Sequence, residues 1–242
     1  MNKITSWSIS RAQVFDQCAY RAKLQWVDKI PDTQPRPAAD RGTQIHLEAE
    51  DYVTGKRPDL THNLRHFKDD LIALRAHANA KRVTCEEEWA FDQDWQITPW
   101  AKGWLRLKLD ACCHLTNYHV AVIDYKTGAR FGNEVKHAEQ LQLYALTTML
   151  RYPKVEHVTA ELWYLDQNEL ASFSMKRSQL KRYLQIFNRK GESITEETTF
   201  KPNPNIFSCK YCPYHESKQG NCTFGVPAQA ILKKPTTGGK NG

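Results

Sequence analysis

The chain has 242 residues, 40% apolar, 25% charged and 11% aromatic, enough for one sizeable core or two small ones. It lacks the run of roughly 20 apolar residues of a membrane span, and MNKITSWSIS has no secretion-signal core, so a cytoplasmic location and no membrane partner are expected. Lys and Arg number 34 against 27 acids, a net charge of +7, which suits a polyanionic partner such as nucleic acid without requiring one.

SWSISRAQVFDQCAYRAKLQWV reads as a first helix, with Ser10 and Gln13 as a capping-box pair. The proline-rich DKIPDTQPRP ends it. A second helix is predicted over about 38–53, with Ile45, Ala49, Tyr52 and Val53 on its core face and His46 beside it. GKRPDLT breaks that helix, and a third follows over about 62–81. Strands come next: EEWAFD is short, LRLKLDACC alternates, and HVAVIDYK returns after TNY, so 105–126 reads as a hairpin.

After a Thr-Gly turn the pattern predicts a helix over about 134–150, then a second hairpin of HVTAELWYLD and ELASFSM around DQNE. The basic helix 176–190 carries six Lys or Arg and no acids, and reads either as a solvated face or as a DNA-backbone contact. KPNPNIFSCKYCPYHESKQGNC has the composition of a metal-clipped loop. The tail, 227–242, has too little apolar content to pack and is expected to be disordered. Residues 1–226 are read as a single α/β domain.

The second strand of the first hairpin ends in Asp124 and Lys126, which share a face because strand side chains alternate. Asp110 lies on the preceding strand, so the two carboxylates can converge across the ladder or just beyond its end. Two close carboxylates repel and are costly to desolvate unless a cation neutralises them, and oxygen ligands favour Mg²⁺ or Mn²⁺. A neighbouring protonated lysine is a poor ligand, but it can stabilise an attacking hydroxide or the charge growing on a phosphate oxygen. A same-face salt bridge between Asp124 and Lys126 is the plain alternative. Gly42 four residues before helical His46, and Gln140 with Tyr144 at i and i+4 on one helix face, are each weak alone.

In order, Gly-x3-His, Asp, Asp-x-Lys and Gln-x3-Tyr resemble the RecB-like branch of the PD-(D/E)XK nuclease superfamily, including the CRISPR-associated RecB-like iron–sulfur exonucleases. The resemblance covers most of residues 5–225. Leu109 stands where such families commonly have proline, and the nearest glycine before Asp110 is Gly103. The resemblance implies a mixed central sheet flanked by helices. It makes His46, Asp110 and Asp124 ligands of one or two Mg²⁺ or Mn²⁺ ions, with the Tyr125 carbonyl as a further ligand. Lys126 becomes the catalytic lysine, acting with Asp110 and Asp124, while Gln140 and Tyr144 organise the site or touch DNA.

The odd number of cysteines, seven, argues against a disulfide framework. Cys85, Cys112 and Cys113 sit in strand-like stretches as small buried residues. Cys209, Cys212 and Cys222 supply three thiolates where a closed site wants four ligands. His215 would complete a Cys3His zinc loop of unusual spacing. The resemblance instead implies that Cys18 joins the three late cysteines around a [4Fe–4S] cluster, clipping the first helix to segment 201–226. The expected activity is a metal-dependent DNA exonuclease acting on single strands or free ends in recombination, repair or processing. Any helicase or recombination partner is then a separate chain, and oligomeric state leaves no trace in the sequence. The alternatives are a DNA-binding scaffold with an inactive nuclease fold and a sequence-specific endonuclease.

Overall fold

The computed structural model describes residues 3–128 and 130–232. In chain order the elements are α1 (Ile9–Gln17), α2 (Ala19–Ala22), α3 (Pro37–Val53), α4 (Lys68–Asn79), β1 (Val83–Phe91), β2 (Leu105–His114), β3 (His119–Lys126), α5 (Glu134–Arg151), β4 (His157–Tyr164), β5 (Glu169–Lys176), α6 (Leu180–Thr195), α7 (Ile206–Lys210) and α8 (Ala228–Leu232). They divide between two compact units, one of residues 6–9 and 36–192, the other of the described residues among 1–5, 10–35 and 193–242.

The larger unit is a five-stranded sheet in the order β1-β2-β3-β4-β5. All neighbours are antiparallel except β3 and β4. A parallel pair needs a long crossover, which α5 supplies. The fold is therefore a mixed sheet flanked by helices, as expected. Helix α3 starts with Pro37, whose missing N–H costs nothing in a first turn. Ile45, Ala49, Tyr52 and Val53 all face the core, where they meet Leu71 and Leu74 of α4 and the Ala121, Ile123 and Tyr125 side of β3. Full burial of each Ile, Leu or Val among these contributes roughly 1.5–3 kcal/mol. Helix α5 packs on β3, β4 and β5. Near the start of β2, Trp7 and Trp104 meet edge to face at 5.5 Å, and a Cβ at Gly191 of α6 would overlap the Trp104 ring.

Three elements differ from the sequence reading. The helix read over 176–190 has Lys176 in β5, a 3-10 turn over Arg177–Gln179, and α6 only over Leu180–Thr195. The third helix opens as a 3-10 turn, His62–Phe67, before α4 begins. Strand β1 runs from Val83, well before EEWAFD, because pairing with β2 carries its polar half.

The first helix is not continuous. It starts at Ile9, ahead of Ser10, and breaks at Cys18, whose backbone is extended (φ −165°, ψ 107°). One α turn and a π turn over Lys23–Val27 follow. Leu24, Cys212 and Tyr214 form a small core with Tyr20, Ile30 and Cys222 against it. The Tyr214 hydroxyl donates to the Ile30 carbonyl at 2.8 Å. Helix α8 lies inside the segment read as a disordered tail, and 233–242 lie outside the described residues. No described helix is long and apolar enough to cross a membrane.

Candidate metal centre

The β2–β3 ladder pairs His114 with Val120 through to Ala111 with Ile123, and stops there. Beyond that point β2 continues against β1 and β3 against β4. The next residues in register, Asp110 and Asp124, therefore sit at the fork of two parting strands. Asp110 is buried and needs partners for both oxygens. Its Oδ2 accepts the Tyr125 N–H at 2.6 Å, and its Oδ1 lies 3.1 Å from His46 Nδ1. Burial pushes the Asp110 carboxyl up, with help from the Asp124 charge, against the pull of its bond to His46. Burial also opposes a charged His46, but the bond and charge of Asp110 outweigh it and push the imidazole up. The pair thus draws positive charge to itself.

Asp124 is held from two elements. Gln140 Nε2 and Tyr144 OH of α5 donate to its Oδ1 at 2.9 and 3.0 Å. Lys126 Nζ lies 2.6 Å from Oδ2, yet that oxygen is buried and accepts no well-aligned hydrogen bond. Burial keeps the Tyr144 hydroxyl protonated by pushing it well above the usual range, so it remains a donor. Gln140 and Tyr144 are 6% and 4% exposed, so their polar ends serve Asp124 rather than the surface. Gly42 lets α3 approach the turn after Lys126, since a Cβ there would sit 3.1 Å from Thr127 Oγ1. The fork thereby brings His46, Asp110, Asp124, Lys126, Gln140 and Tyr144 into one neighbourhood.

Two further residues belong to this neighbourhood. Ligand atoms of His46, Glu86 and Asp110 all lie within 4.8 Å of one another. Glu86 faces Asp110 across β1 and β2, in a run of three glutamates of which the last two open the stretch read as a short strand. His137, one turn ahead of Gln140 on α5, has Nδ1 2.5 Å from the Tyr164 hydroxyl. Burial and then the nearby Lys126 charge push it down. Its place on the Gln140–Tyr144 face is the signal that could have found it.

Residues 6–217 match the PD-(D/E)XK nuclease superfamily. The chain belongs to this superfamily. Among solved structures it is similar to SSO0001, at 14% identity, covering 94% of this chain and 90% of that one with a TM-score of 0.47. It is also similar to a protein from Eubacterium rectale provisionally described as an exonuclease, at 10% identity, covering 92% and 90% with a TM-score of 0.49. No curated protein matches the sequence.

PD-(D/E)XK nucleases use divalent metal ions, and the residues at the fork fit one. The donor set is carboxylate and imidazole, which suits Mg²⁺ or Mn²⁺. The buried Oδ2 of Asp124 is ion-paired with Lys126 but accepts no well-aligned hydrogen bond, so its lone pairs suit a cation.

The cysteines of the smaller unit form a separate constellation. Cys18, Cys209, Cys212 and Cys222 line one pocket together with His215, and all four are free thiols. The extended backbone at Cys18 ends α1, and the Asn203 N–H lies 3.5 Å from its Sγ. His215 has both ring nitrogens engaged, Nε2 with the Val226 carbonyl at 2.6 Å and Nδ1 with Ser217 Oγ at 2.8 Å. Burial pushes the Cys85 and Cys112 thiols up to about 12, which keeps these strand cysteines inert.

Proposed function

We propose that this PD-(D/E)XK protein is a metal-dependent DNA exonuclease acting on single strands or free ends. The observation that carries this reading is the fork at which Asp110 and Asp124 converge, with Lys126 against the second carboxylate. His46, Asp110, Asp124 and the Tyr125 carbonyl are the proposed ligands of Mg²⁺ or Mn²⁺. Bound there, such an ion would supply acidification of a water and neutralisation of charge on the phosphodiester. Lys126 then releases Asp124 to meet the phosphate as negative charge grows on its oxygens, a stabilisation that is stronger in the transition state than before it. Gln140 and Tyr144 keep Asp124 in one orientation, so that this carboxylate itself need not turn when Lys126 leaves it. The net charge of +7 favours a nucleic-acid substrate. Six Lys or Arg lie over 176–190. Of these, Arg177 is bonded to the Val155 and Tyr152 carbonyls, and Lys190 is paired with Glu139 at 2.7 Å. Of the other four, Arg189 Nε donates to the Gln185 carbonyl and Arg182 lies over the Tyr183 ring, contacts within the local chain that keep their charges available to DNA. Recombination, repair or processing of DNA ends, beside a separate helicase, is the setting that such an activity suits.

The four cysteines are proposed as ligands of a [4Fe–4S] cluster with a structural role. Their convergence on one pocket supports it, and the engaged nitrogens of His215 count against a Cys3His zinc site.

The test is incubation of anaerobically purified protein with end-labelled linear and closed circular DNA in Mg²⁺, Mn²⁺ or EDTA, beside Asp124→Ala and Lys126→Ala. Metal-dependent loss of linear DNA alone, abolished by both substitutions, is expected. Cutting of closed circles would replace the exonuclease with an endonuclease. Binding without cleavage of any form would replace it with an inactive scaffold. Iron and sulfide counted in the same preparation test the cluster, and zinc in their place would overturn it.

A further inference from the structure

The β1–β2 ladder keeps one register throughout, yet its pairing is interrupted at a single step, between Cys85–Ala111 and Glu87–Leu109. The residue at the gap is Glu86, and it faces Asp110. Its backbone is left-handed (φ 56°), a conformation that costs a side-chain-bearing residue about 1–2 kcal/mol. Nothing about strand pairing requires that cost, and the neighbouring Glu87 and Glu88 hold the ordinary extended ladder.

What Glu86 gains is a position. Its carboxylate joins His46 and Asp110 in a group of ligand atoms all within 4.8 Å. Asp124 is close enough for its charge to act on both His46 and Asp110. The space that these groups border is an open groove lined by Gly42, Thr43, His46, Glu86, Lys108 and Asp110, among others. Glu86 is ion-paired there with Lys108, which shares a strand face with Asp110. Lys108 is about half exposed, its side chain at 52%, so its ammonium can swing into solvent at little cost.

We propose that Glu86 is a further carboxylate ligand of the cation at the fork. Lys108 is its counter-ion, competing with the cation for the same oxygens. The proposal rests on the metal-dependent reading above and adds to it an acidic ligand from β1, outside the strand pair that carries Asp110 and Asp124. It makes metal affinity adjustable from Lys108, a residue that needs no contact with the reacting phosphate.

The test is Mn²⁺ binding without DNA, by calorimetry and by the electron-spin signal of free Mn²⁺. It compares the full chain with Glu86→Gln, Lys108→Met, the double variant and Asp110→Asn, with metal-free melting as the check on folding. Glu86→Gln is expected to weaken Mn²⁺ at least about tenfold, and Lys108→Met to tighten it about threefold. The double variant should bind like Glu86→Gln, because Lys108 acts through Glu86. If Asp110→Asn loses Mn²⁺ while Glu86→Gln binds like the parent, Glu86 is only the partner of Lys108 and the proposal falls, with the nuclease reading intact. If Glu86→Gln fails to fold, an unchanged affinity in Lys108→Met overturns the proposal. If the parent binds no Mn²⁺, the metal reading falls with it.

Discussion

At the fork of the sheet, Asp124 is gripped by Gln140 and Tyr144 from a helix and by Lys126 from its own strand. In the other unit, Cys18, Cys209, Cys212 and Cys222 border a pocket on a chain of short turns. The first site is held by hydrogen bonds between regular elements, whose hydrophobic faces are buried whether or not a cation is bound. Beside the second lies a small cluster of Leu24, Cys212 and Tyr214 with a few neighbours, and two of the pocket's thiols belong to that cluster or pack on it. One fold organises its site, whereas in the other the site's occupant would organise the fold. The two regions should therefore fail differently when a single side chain is removed.

The largest contrast is expected between Lys126→Met and Cys18→Ser. Loss of the ammonium should lower cleavage about 10²–10³-fold while melting stays within a few degrees, since Asp124 keeps Gln140 and Tyr144. Cys18→Ser should do the reverse, costing on the order of 3 kcal/mol, or about 10 °C in Tm, with metal-loaded cleavage less affected. Paired melting curves and rate measurements check both, and equal thermal losses in the two variants would erase the contrast.

A smaller effect sharpens it within the sheet unit. Tyr144→Phe removes one of the two helix donors to Asp124 Oδ1 and leaves Gln140 in place. The rate should fall about tenfold, as for outer partners of metal ligands, with binding of DNA unchanged. A variant whose DNA affinity drops instead, at constant turnover, would assign Tyr144 to the DNA rather than to Asp124.

The geometry at the fork was legible in the sequence wherever it depends on the period of one element. Asp124 and Lys126 are two apart on a strand, and Gln140 and Tyr144 four apart on a helix, so their shared faces follow from spacing. The individual strands and helices were legible for the same reason, whereas the mixed sheet, with its parallel β3–β4 pair, was implied only by the family resemblance. Glu86 was not, because it stands just before the stretch read as a short strand. Its placement comes from cross-strand register and a left-handed backbone, neither of which has a local signal in a residue other than glycine. The break at Cys18 was hidden too, since helical periodicity continues through it on both sides. The state of His215 was out of reach, because both nitrogens are committed to partners in a loop that has no period.

The smallest expected effect concerns how the irregular unit holds its backbone. One carboxylate oxygen of Glu197 accepts the N–H groups of Thr198, Thr199 and Phe200 and the Thr199 hydroxyl. Phe200 follows with a left-handed backbone (φ 46°). The Thr199 hydroxyl, then the Phe200 and Thr199 N–H groups, hold the Glu197 carboxyl down to about 2, from an ordinary 4.5. A depressed folded value means that the ionised group stabilises the fold above the unfolded value, and that this stability is lost as pH falls through the folded one. Because Glu197 is largely solvated, the effect is screened and should amount to no more than about 1 kcal/mol. Glu197→Gln should therefore lower Tm by a few degrees at pH 7, and the gap should close between pH 4.5 and about 2. Melting the two proteins across that range checks it, and a constant gap would mean that the amide disturbs the turn by shape rather than by charge. The same titration carries the comparison of the two units to its end. If the turn preceding the late cysteines proves insensitive to this carboxylate, the unit is maintained by its other contacts, such as the Leu24–Cys212–Tyr214 cluster, and by the pocket's occupant.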